Sequence, residues 1–503
     1  MGSTFGSFEI GRRAVHAQQK GVQVTGQNIA NANTEGYHRQ AVLMKALVPP
    51  AAPGVETPPG YGVKVNDIIR VRSGFYEDQM MKSLTALNYW ERMEQTYSGI
   101  EVIFQEPDET GINVALNEFF DAWQELSVNP ENYAVRLGLL EQANSLTGLV
   151  RDIYGRLTEL KFDVRKELDA TLTEINSLAA EVAELNGKIS YLQAMKQKSN
   201  ELLDQRDLCL QELSELINIR VNERADGSIE VLAGGHILLH DDHVFKLKIE
   251  EEVKTEEGNG NGILQLSVQN EMGTKLSIQD GDGAIAGMLQ SYNEVFPQYQ
   301  GDLDELVYAL IEEVNNLHRE GYGLDGTGKR NFFETYKEDE DEGEEGENPG
   351  APLESDKIGI AAKFAVCDDL TIGNIAASSF VEEGEDNEPI AVPGDGSNAL
   401  KIARLREALT MEKDGGEGTA TFSDFFRGVI ANLGVEGRET QRMSVSLENV
   451  RDRIQERQEA VSGVSLDDEM LNMIQYQHAY NAAARFLNVL DEMLGVMFSE
   501  IGR

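Results

Sequence analysis

LDDEMLNMIQYQHAYNAAARFLNVLDEMLGVMFSEI, residues 466–501, is the stretch that decides the fold. Leu466, Met473, Tyr480, Leu487, Leu494 and Ile501 fall seven apart along it, and a second line, Tyr476, Leu490 and Met497, runs beside them. A seven-residue apolar repeat describes a helix that buries one stripe against another helix. The opposite end of the chain carries the matching signal. Met1, Phe8, Val15, Val22 and Ile29 are also seven apart, and the small residues Gly11, Ala14, Ala17 and Gly21 would let a partner approach closely. The terminal helices therefore find each other, or those of neighbouring copies. This is the pattern of a protein that assembles, and it makes catalysis a poor first reading.

Between the ends, the periodicity changes twice. Residues 3–33 read as helix, and NANTEGY (31–37) is turn chemistry, with Asn and Gly tolerating left-handed backbone. Residues 38–75 look extended around a proline-rich loop, a hairpin-like excursion. Helices follow at 75–105 and 112–128, and a long one at 133–218 with a break near Gly187 or Lys198. From residue 219 the sequence alternates, with turns at Asp226-Gly227 and Gly234-Gly235, which is antiparallel strand. Helix returns at 284–319. Short strands (KIGIAAKFAV, LTIGNI) and acidic loops occupy 357–395, and helix resumes at 398–411 and 421–462. Ser465 then caps the terminal helix, with Asp467, Asp468 and Glu469 complementing its dipole.

The expected fold is mainly α with inserted β domains, a multidomain α+β chain. Residues 1–40 and 464–503 form a terminal coiled-coil domain. Residues 41–218 and 398–463 form a long helical-bundle rod with the hairpin attached. Residues 219–397 form an outer β-rich region of antiparallel sheets, carrying helix 284–319 and an acidic insert at 337–395.

Composition narrows the function. With 503 residues and 41% hydrophobic content, the chain can build two to four domains. Its net charge of −43 excludes nucleic acid or an anionic membrane as an electrostatic partner. The acidity is uneven: residues 337–395 hold three lysines against eighteen Asp or Glu, whereas residues 1–48 hold five Lys or Arg against Glu9 and Glu35. No apolar run approaches the roughly 18 residues of a membrane span, and there is no secretory h-region, so composition alone points to the cytoplasm. Cys209 and Cys367 read as small buried residues, not as a disulfide framework.

No catalytic, cofactor or metal site is expected. His236, His240 and His243 cluster in a hairpin, but alternation puts His243 on the opposite face from the other two. QDGDGAIAG (279–287) echoes a calcium loop, yet Ser291 stands where the closing acid belongs. LDGTGKRN (324–331) lacks the full phosphate-loop spacing and reads as a turn. The acidic run KEDEDEGEEGENPG reads as a solvated loop.

Three stretches carry a resemblance. VTGQNIANANTEGYHRQ (24–40) resembles the N-terminal signature of flagellar axial proteins, and SLDDEMLNMIQYQHAYNAAARFLNVLDEML (465–494) resembles their C-terminal one. NELLDQRDLCLQELSELINI (200–219), with Leu203, Asp204, Gln205, Arg206 and Asp207, resembles a hallmark of the hook-associated protein 1 (FlgK) family, as do residues 119–143 and 304–326. The resemblance covers about residues 1–330 and 398–503; residues 337–395 are poorly matched.

This resemblance implies a structural adaptor between hook and filament. Paired terminal helices would line an inner tube, with β domains outward. Its partners would be the hook protein, a second junction protein and neighbouring copies, and a dedicated export chaperone would hold the C-terminal helix. The chain would be extracellular, in the flagellum, and would leave by type III export without a cleaved signal. Asn28, Asn31, Asn33, Gly36 and Tyr37 would set the turn that leaves the inner tube. A hook or rod protein is the alternative within the class; the motif at 200–219 argues against it. The alternative from outside the class is a secreted adhesin or enzyme whose activity lies in residues 219–395. Removing 337–395 is expected to separate that reading from an adaptor.

Overall fold

Two helices of unequal bulk meet at the ends of the chain. In this computed structural model, α1 (Gly2–Ala30) lies antiparallel against α10 (Leu466–Ile501). The structure describes residues 2–47, 60–104, 111–224, 226–252, 263–269, 274–276, 279, 281–335, 357–383, 389–392, 394–411 and 418–501.

The seam between these helices follows the small residues of α1, not its heptad. The Leu487 side chain comes within 2.6 Å of where a Cβ on Gly11 would stand, and the Tyr476 ring within 2.6 Å of one on Gly21. Phe8 is 37% exposed, and Val15, Val22 and Ile29 are half-buried beside the seam. Glycine lets the axes approach, so the bulky residues of α1 are displaced to the flanks. On α10, Met473, Tyr476, Leu487 and Leu494 are half-buried and Leu490 is buried, while Leu466, Tyr480 and Met497 are exposed. Met1 lies outside the described residues, as does the side chain of Ile501.

The hairpin β1 (Gln40–Ala46) and β2 (Val63–Arg70) pairs Gln40 with Arg70 and Ala46 with Val63, with a bulge between Leu43 and Met44. It runs back along α1, where Arg13 Nη1 donates to the Tyr61 carbonyl at 3.1 Å. Most of its proline-rich loop lies outside the described residues.

The rod begins with α2 (Gly74–Phe104), α3 (Ile112–Val128) and α4 (Tyr133–Ala194). With 62 residues, α4 is about 93 Å long at the usual rise. The expected break falls at Lys196, whose φ of +59° takes the chain out of helix. Ser199 then caps α5 (Asn200–Leu216) by accepting from the Leu202 amide.

Strands β3 (Ile219–Glu223), β4 (Ile229–Ala233), β5 (His236–His240) and β6 (His243–Val244) form an antiparallel meander. Strands β7 (Leu247–Glu252), β8 (Ile263–Val268) and β9 (Thr274–Lys275) form a second sheet. Both sheets bury Val231, Leu239 and Leu266 with Leu168, Ile175 and Val182 of α4 and Leu213 of α5. Within the meander, His240 Nδ1 pairs with Glu230 at 2.9 Å, while His243 is exposed.

Two expectations for the middle of the chain are corrected. Helix 284–319 is α6 (Ala284–Gln290), a π-helical turn (Ser291–Val295) and α7 (Phe296–Glu320). The α7 residues Phe296, Leu303, Leu310 and Val314 belong to the rod core, not to the outer sheets. KIGIAAKFAV is not a strand either; it forms a short 3-10 turn at Ala361–Lys363. Asp304 of α7 accepts from the amides of Gly359 at 2.8 Å and Ala361 at 2.9 Å, which coils this segment onto the rod. Phe364 and Ile375 then join Phe119, Trp123, Phe332 and Phe333 in the rod core. Removing 337–395 would therefore take core side chains with it, and a clean deletion must stay within 338–354. The acidic run itself lies outside the described residues.

Short strands β10 (Val381–Glu383) and β11 (Pro389–Ala391) pair before α8 (Ser397–Arg404). The long α9 (Phe422–Ser462) then returns along α2 to the base of the rod. Cys209 is buried and unpaired, and burial pushes its thiol up to about 12. Among the described residues no helix is long and apolar enough to cross a membrane.

At the heart of the rod core, His318 is 0% exposed. Its Nδ1 donates to the Arg330 carbonyl at 2.8 Å, and its Nε2 accepts from the Ala376 amide at 3.0 Å, which fixes a neutral ring. Burial lowers its pKa to about 4 from 6.5. A depressed histidine contributes stability above its unfolded pKa and loses it as pH falls towards the folded value. The loss between pH 7 and pH 4 comes to about 3 kcal/mol. His318→Gln can make both hydrogen bonds without titrating. Urea unfolding should show that this variant loses about 3 kcal/mol less than the parent over that pH range; an equal loss would contradict the assignment.

Candidate assembly site

The chain passes between the terminal helix pair and the rod twice, and both crossings occur at one elbow. The first is the turn after α1. Asn31 donates from Nδ2 to the Gln27 carbonyl at 3.0 Å and holds Thr34 Oγ1 at 3.3 Å, closing the end of the helix. Gly36 has φ +72°, the left-handed region expected for it. Tyr37 folds back so that its hydroxyl donates to Asn28 Oδ1 at 2.8 Å. Burial, then the charges of Asp204, Glu201 and Glu469, push the Tyr37 phenol well above its ordinary value. Asn33 is exposed and takes no part in this closure. The second crossing is the joint between α9 and α10. There the Arg39 amide donates to the Ser462 carbonyl at 3.0 Å, tying the two crossings together, and the Asp468 amide donates to Ser465 Oγ at 3.3 Å.

Helix α5 supplies the anchor. Its residues Asp204, Arg206 and Asp207 all turn inward, whereas Gln205 is exposed and Leu203 half-buried. Asp204 Oδ1 lies 2.9 Å from His38 Nδ1 and accepts from Arg70 Nη1 at 2.9 Å. The same Arg70 nitrogen donates to Asp207 at 2.6 Å. Arg72 extends the chain of charges to Asp207 at 3.6 Å and Glu77 at 3.3 Å. Burial opposes a charged His38, but the Asp204 hydrogen bond and charge outweigh it, and the ring's pKa lies above its ordinary value. Burial raises the Glu77 carboxyl. Arg206 points the other way, towards the β meander, and donates to Asn186 Oδ1 at 3.1 Å and the Gly227 carbonyl at 2.8 Å. The Leu203–Asp207 motif thus clamps the hairpin and turn with its acids and the sheet with its arginine.

His38, Asp204 and Asp207 bring ligand-type atoms within 4.8 Å of one another. The Arg70 guanidinium lies among them and already answers both carboxylates, so the cluster is an ion-pair node, not a metal cage. A crevice of about 1560 Å³ opens beside it, between the turn, the start of α2, α5 and the end of α9.

Pairing with α1 covers only one side of α10. Met470, Ile474, Val489, Met493 and Val496 are 50–58% exposed along its other side, and Phe486, whose ring edge reaches Gly11 at the border of the seam, is still 44% exposed. From Phe486 onward they keep alternating spacings of three and four, a second helix-packing stripe. This second stripe is as legible in the sequence, by its spacing, as the first. His38 and Arg70 carry roles that arise only when distant segments meet, and Glu469, legible as a helix-dipole partner, gains its contact to Asn28 only in the fold.

Comparison with known proteins identifies the lineage. Residues 97–333 match the model described as flagellar hook-associated protein FlgK helical domain. Flagellar hook-associated protein 1 of Bacillus subtilis (strain 168) is 29% identical over 100% of this chain and 99% of its own length. Along its whole length the chain is similar to the flagellar hook-associated protein 1 family. The family's members from Salmonella typhimurium and Escherichia coli (strain K12) are each 21% identical, over 96% of this chain and 98% of theirs. The ends match more general models of the axial proteins: residues 8–38 the flagella basal body rod protein, and 457–499 the C-terminal region of the flagellar basal body rod FlgEFG proteins. The fold resembles that of the flagellar hook junction protein FlgK from Burkholderia pseudomallei, with a TM-score of 0.63 at 15% identity, covering 76% of this chain and 100% of that one. The chain is accordingly a structural component of the bacterial flagellum, associating with other axial proteins.

The elbow makes two demands that substitution can test. Gly36→Val places a β-branched side chain in left-handed backbone, with its Cβ 3.2 Å from that of Leu208. It should destabilise the elbow by about 1–3 kcal/mol. Arg70→Ala leaves two buried carboxylates facing each other and should cost about 3–5 kcal/mol. Denaturant unfolding measures both, and losses under about 0.5 kcal/mol, the level of an ordinary surface change, would show that the elbow is not under these constraints.

Proposed function

We propose that this chain is the adaptor at the junction between hook and filament, and that its terminal helices fold as it assembles. The observation that carries this reading is the second apolar stripe of α10. Closing the α1–α10 seam leaves large side chains in water along most of a long helix. A stripe of this length is a contact surface awaiting neighbours. Its cover would come from further copies of this chain, with the hook protein on one side and a second junction protein on the other. The heptad residues Phe8, Val15, Val22 and Ile29 on the flank of α1 would join the same contacts, as would Leu466, Tyr480 and Met497 on α10.

The topology supports coupled folding. Each terminal helix needs the other, from the far end of the chain, to bury its seam. Ordering either one alone would not offset its conformational entropy. In the proposed sequence the chain leaves through the type III export channel without a cleaved signal, with a dedicated chaperone holding the C-terminal helix until release. The ends pair at the hook tip, and part of the gross contact energy is spent on ordering them. The elbow would then fix the angle between the paired helices and the rod. A hook or rod protein is the less favoured reading, because the rod-protein models match only the ends, while the interior matches the hook-associated helical domain.

Electron microscopy of purified protein mixed with isolated hooks tests the proposal. Full-length chain should cap the hook tips, and a version ending at Val464 should not. Leu487→Glu, which puts a carboxyl group against Gly11, should abolish capping while circular dichroism shows the rod still helical. Capping by the truncated chain, or by neither version, would overturn the proposal.

A further inference from the structure

The two glycines of the α1–α10 seam do not by themselves define its register. Gly11 faces Leu487, Gly21 faces Tyr476 and Asn28 faces Glu469, so the two helices run past each other antiparallel, with one residue of drift between the first contact and the other two. A slip of seven residues would set Gly11 against Leu494 and Gly21 against Ala483. The first exchange is leucine for leucine, and the second puts a smaller side chain over a glycine. Neither clashes, which is the ambiguity inherent in a heptad repeat. The joint at 463–465 is short, so α10 can slip only one way, by unwinding its first two turns.

The surroundings of Asn28 distinguish the two alignments. Asn28 is 1% exposed and Glu469 3% exposed. Asn28 Nδ2 donates to Glu469 Oε2 at 3.0 Å and to the Gln40 carbonyl at 2.9 Å. Its Oδ1 accepts from the Tyr37 hydroxyl at 2.8 Å and the Gln40 amide at 2.9 Å. All four hydrogen-bonding positions of the amide are filled, three by the turn and hairpin and the fourth by α10. After a slip, Asn28 would face Tyr476, and Glu469 would lie beyond the end of α1 at Ala30. The amide's second proton would then be buried without that acceptor, a penalty that apolar packing does not incur.

We propose that the Asn28–Glu469 hydrogen bond is a register lock, which decides the turn of α10 that meets each turn of α1. Glu469 is a positioning residue in this account. It adds specificity to a seam whose affinity comes from Tyr476, Leu487 and Leu490. The lock acts within one chain, so it holds or fails independently of the junction role proposed above.

Cysteine pairs report the register. By the same step Thr25 falls opposite Asn472, and after a slip it would fall opposite Ala479. Full-length chains carrying Thr25→Cys with Asn472→Cys, or Thr25→Cys with Ala479→Cys, are oxidised, and the linked peptides are quantified by mass spectrometry. A disulfide needs its Cα atoms within about 7 Å, which separates the two alignments. With Glu469 present, the 25–472 pair should link at least about tenfold faster than the 25–479 pair. Glu469→Leu, which keeps the seam apolar, should bring the two rates within about threefold, and Glu469→Gln, which can still accept from Asn28, should restore the preference. A leucine variant that keeps the full preference would overturn the lock, since sterics would then set the register. So would a glutamine variant that fails to restore it, or a parent that links both pairs equally or neither.

Discussion

The shared carboxylate of Asp204 is the constraint on which the elbow depends. It is held 2.9 Å from both His38 and Arg70, and Arg70 binds Asp207 as well. A buried acid of this kind is stable only while its partners are in place. Those partners come from the turn after α1 and from the end of the hairpin, so the node forms only when both dock on α5. The Arg39–Ser462 backbone bond then brings the α9–α10 joint to the same point. Two crossings made at opposite ends of the sequence become one mechanical connection.

That connection explains the division of labour along the molecule. The rod has a dense aromatic core around Phe119, Trp123, Phe332 and Phe333, to which α1 and α10 contribute no buried residue. The terminal pair has a thin seam built on glycine, and α10 keeps a large apolar face in water. A stable rod and an unfinished helix pair suit a subunit that must be delivered before it is completed. The polar contacts at Asn28 and Asp204 contribute alignment more than net affinity, since each trades hydration for geometry.

The sequence revealed the helices well and the junctions poorly. The repeat in α10 was legible because period and length agree over its 36 residues. The seam of α1 was misweighted because the bulky heptad residues draw the eye, while close packing is done by Gly11 and Gly21. KIGIAAKFAV reads as a strand by its apolar run; only the Asp304 carboxylate, a long way off in sequence, coils it onto the rod. The first turns of helix 284–319 pack with the outer sheets as expected, through Ile285 and Met288, but its longer part, α7, belongs to the rod core, because periodicity says which face is buried and not against what. Gly36 was anticipated by local turn chemistry, and its φ of +72° agrees. Arg70 and His38 carry no local signal, and that of Glu469, an acid in the first turn of α10, says nothing of its contact with Asn28.

The central claim is that α10 presents a free apolar face which assembly covers. Hydroxyl-radical footprinting of the chain before and after it caps isolated hooks tests this most directly, because Met470, Met493 and Met497 are reactive reporters on or beside that face. The account predicts that all three lose reactivity on capping, while exposed Tyr133, at the start of α4 and away from the elbow, keeps its own. If the α10 methionines stay as reactive in the capped hook as in the free chain, the face is not an assembly surface and the account is wrong.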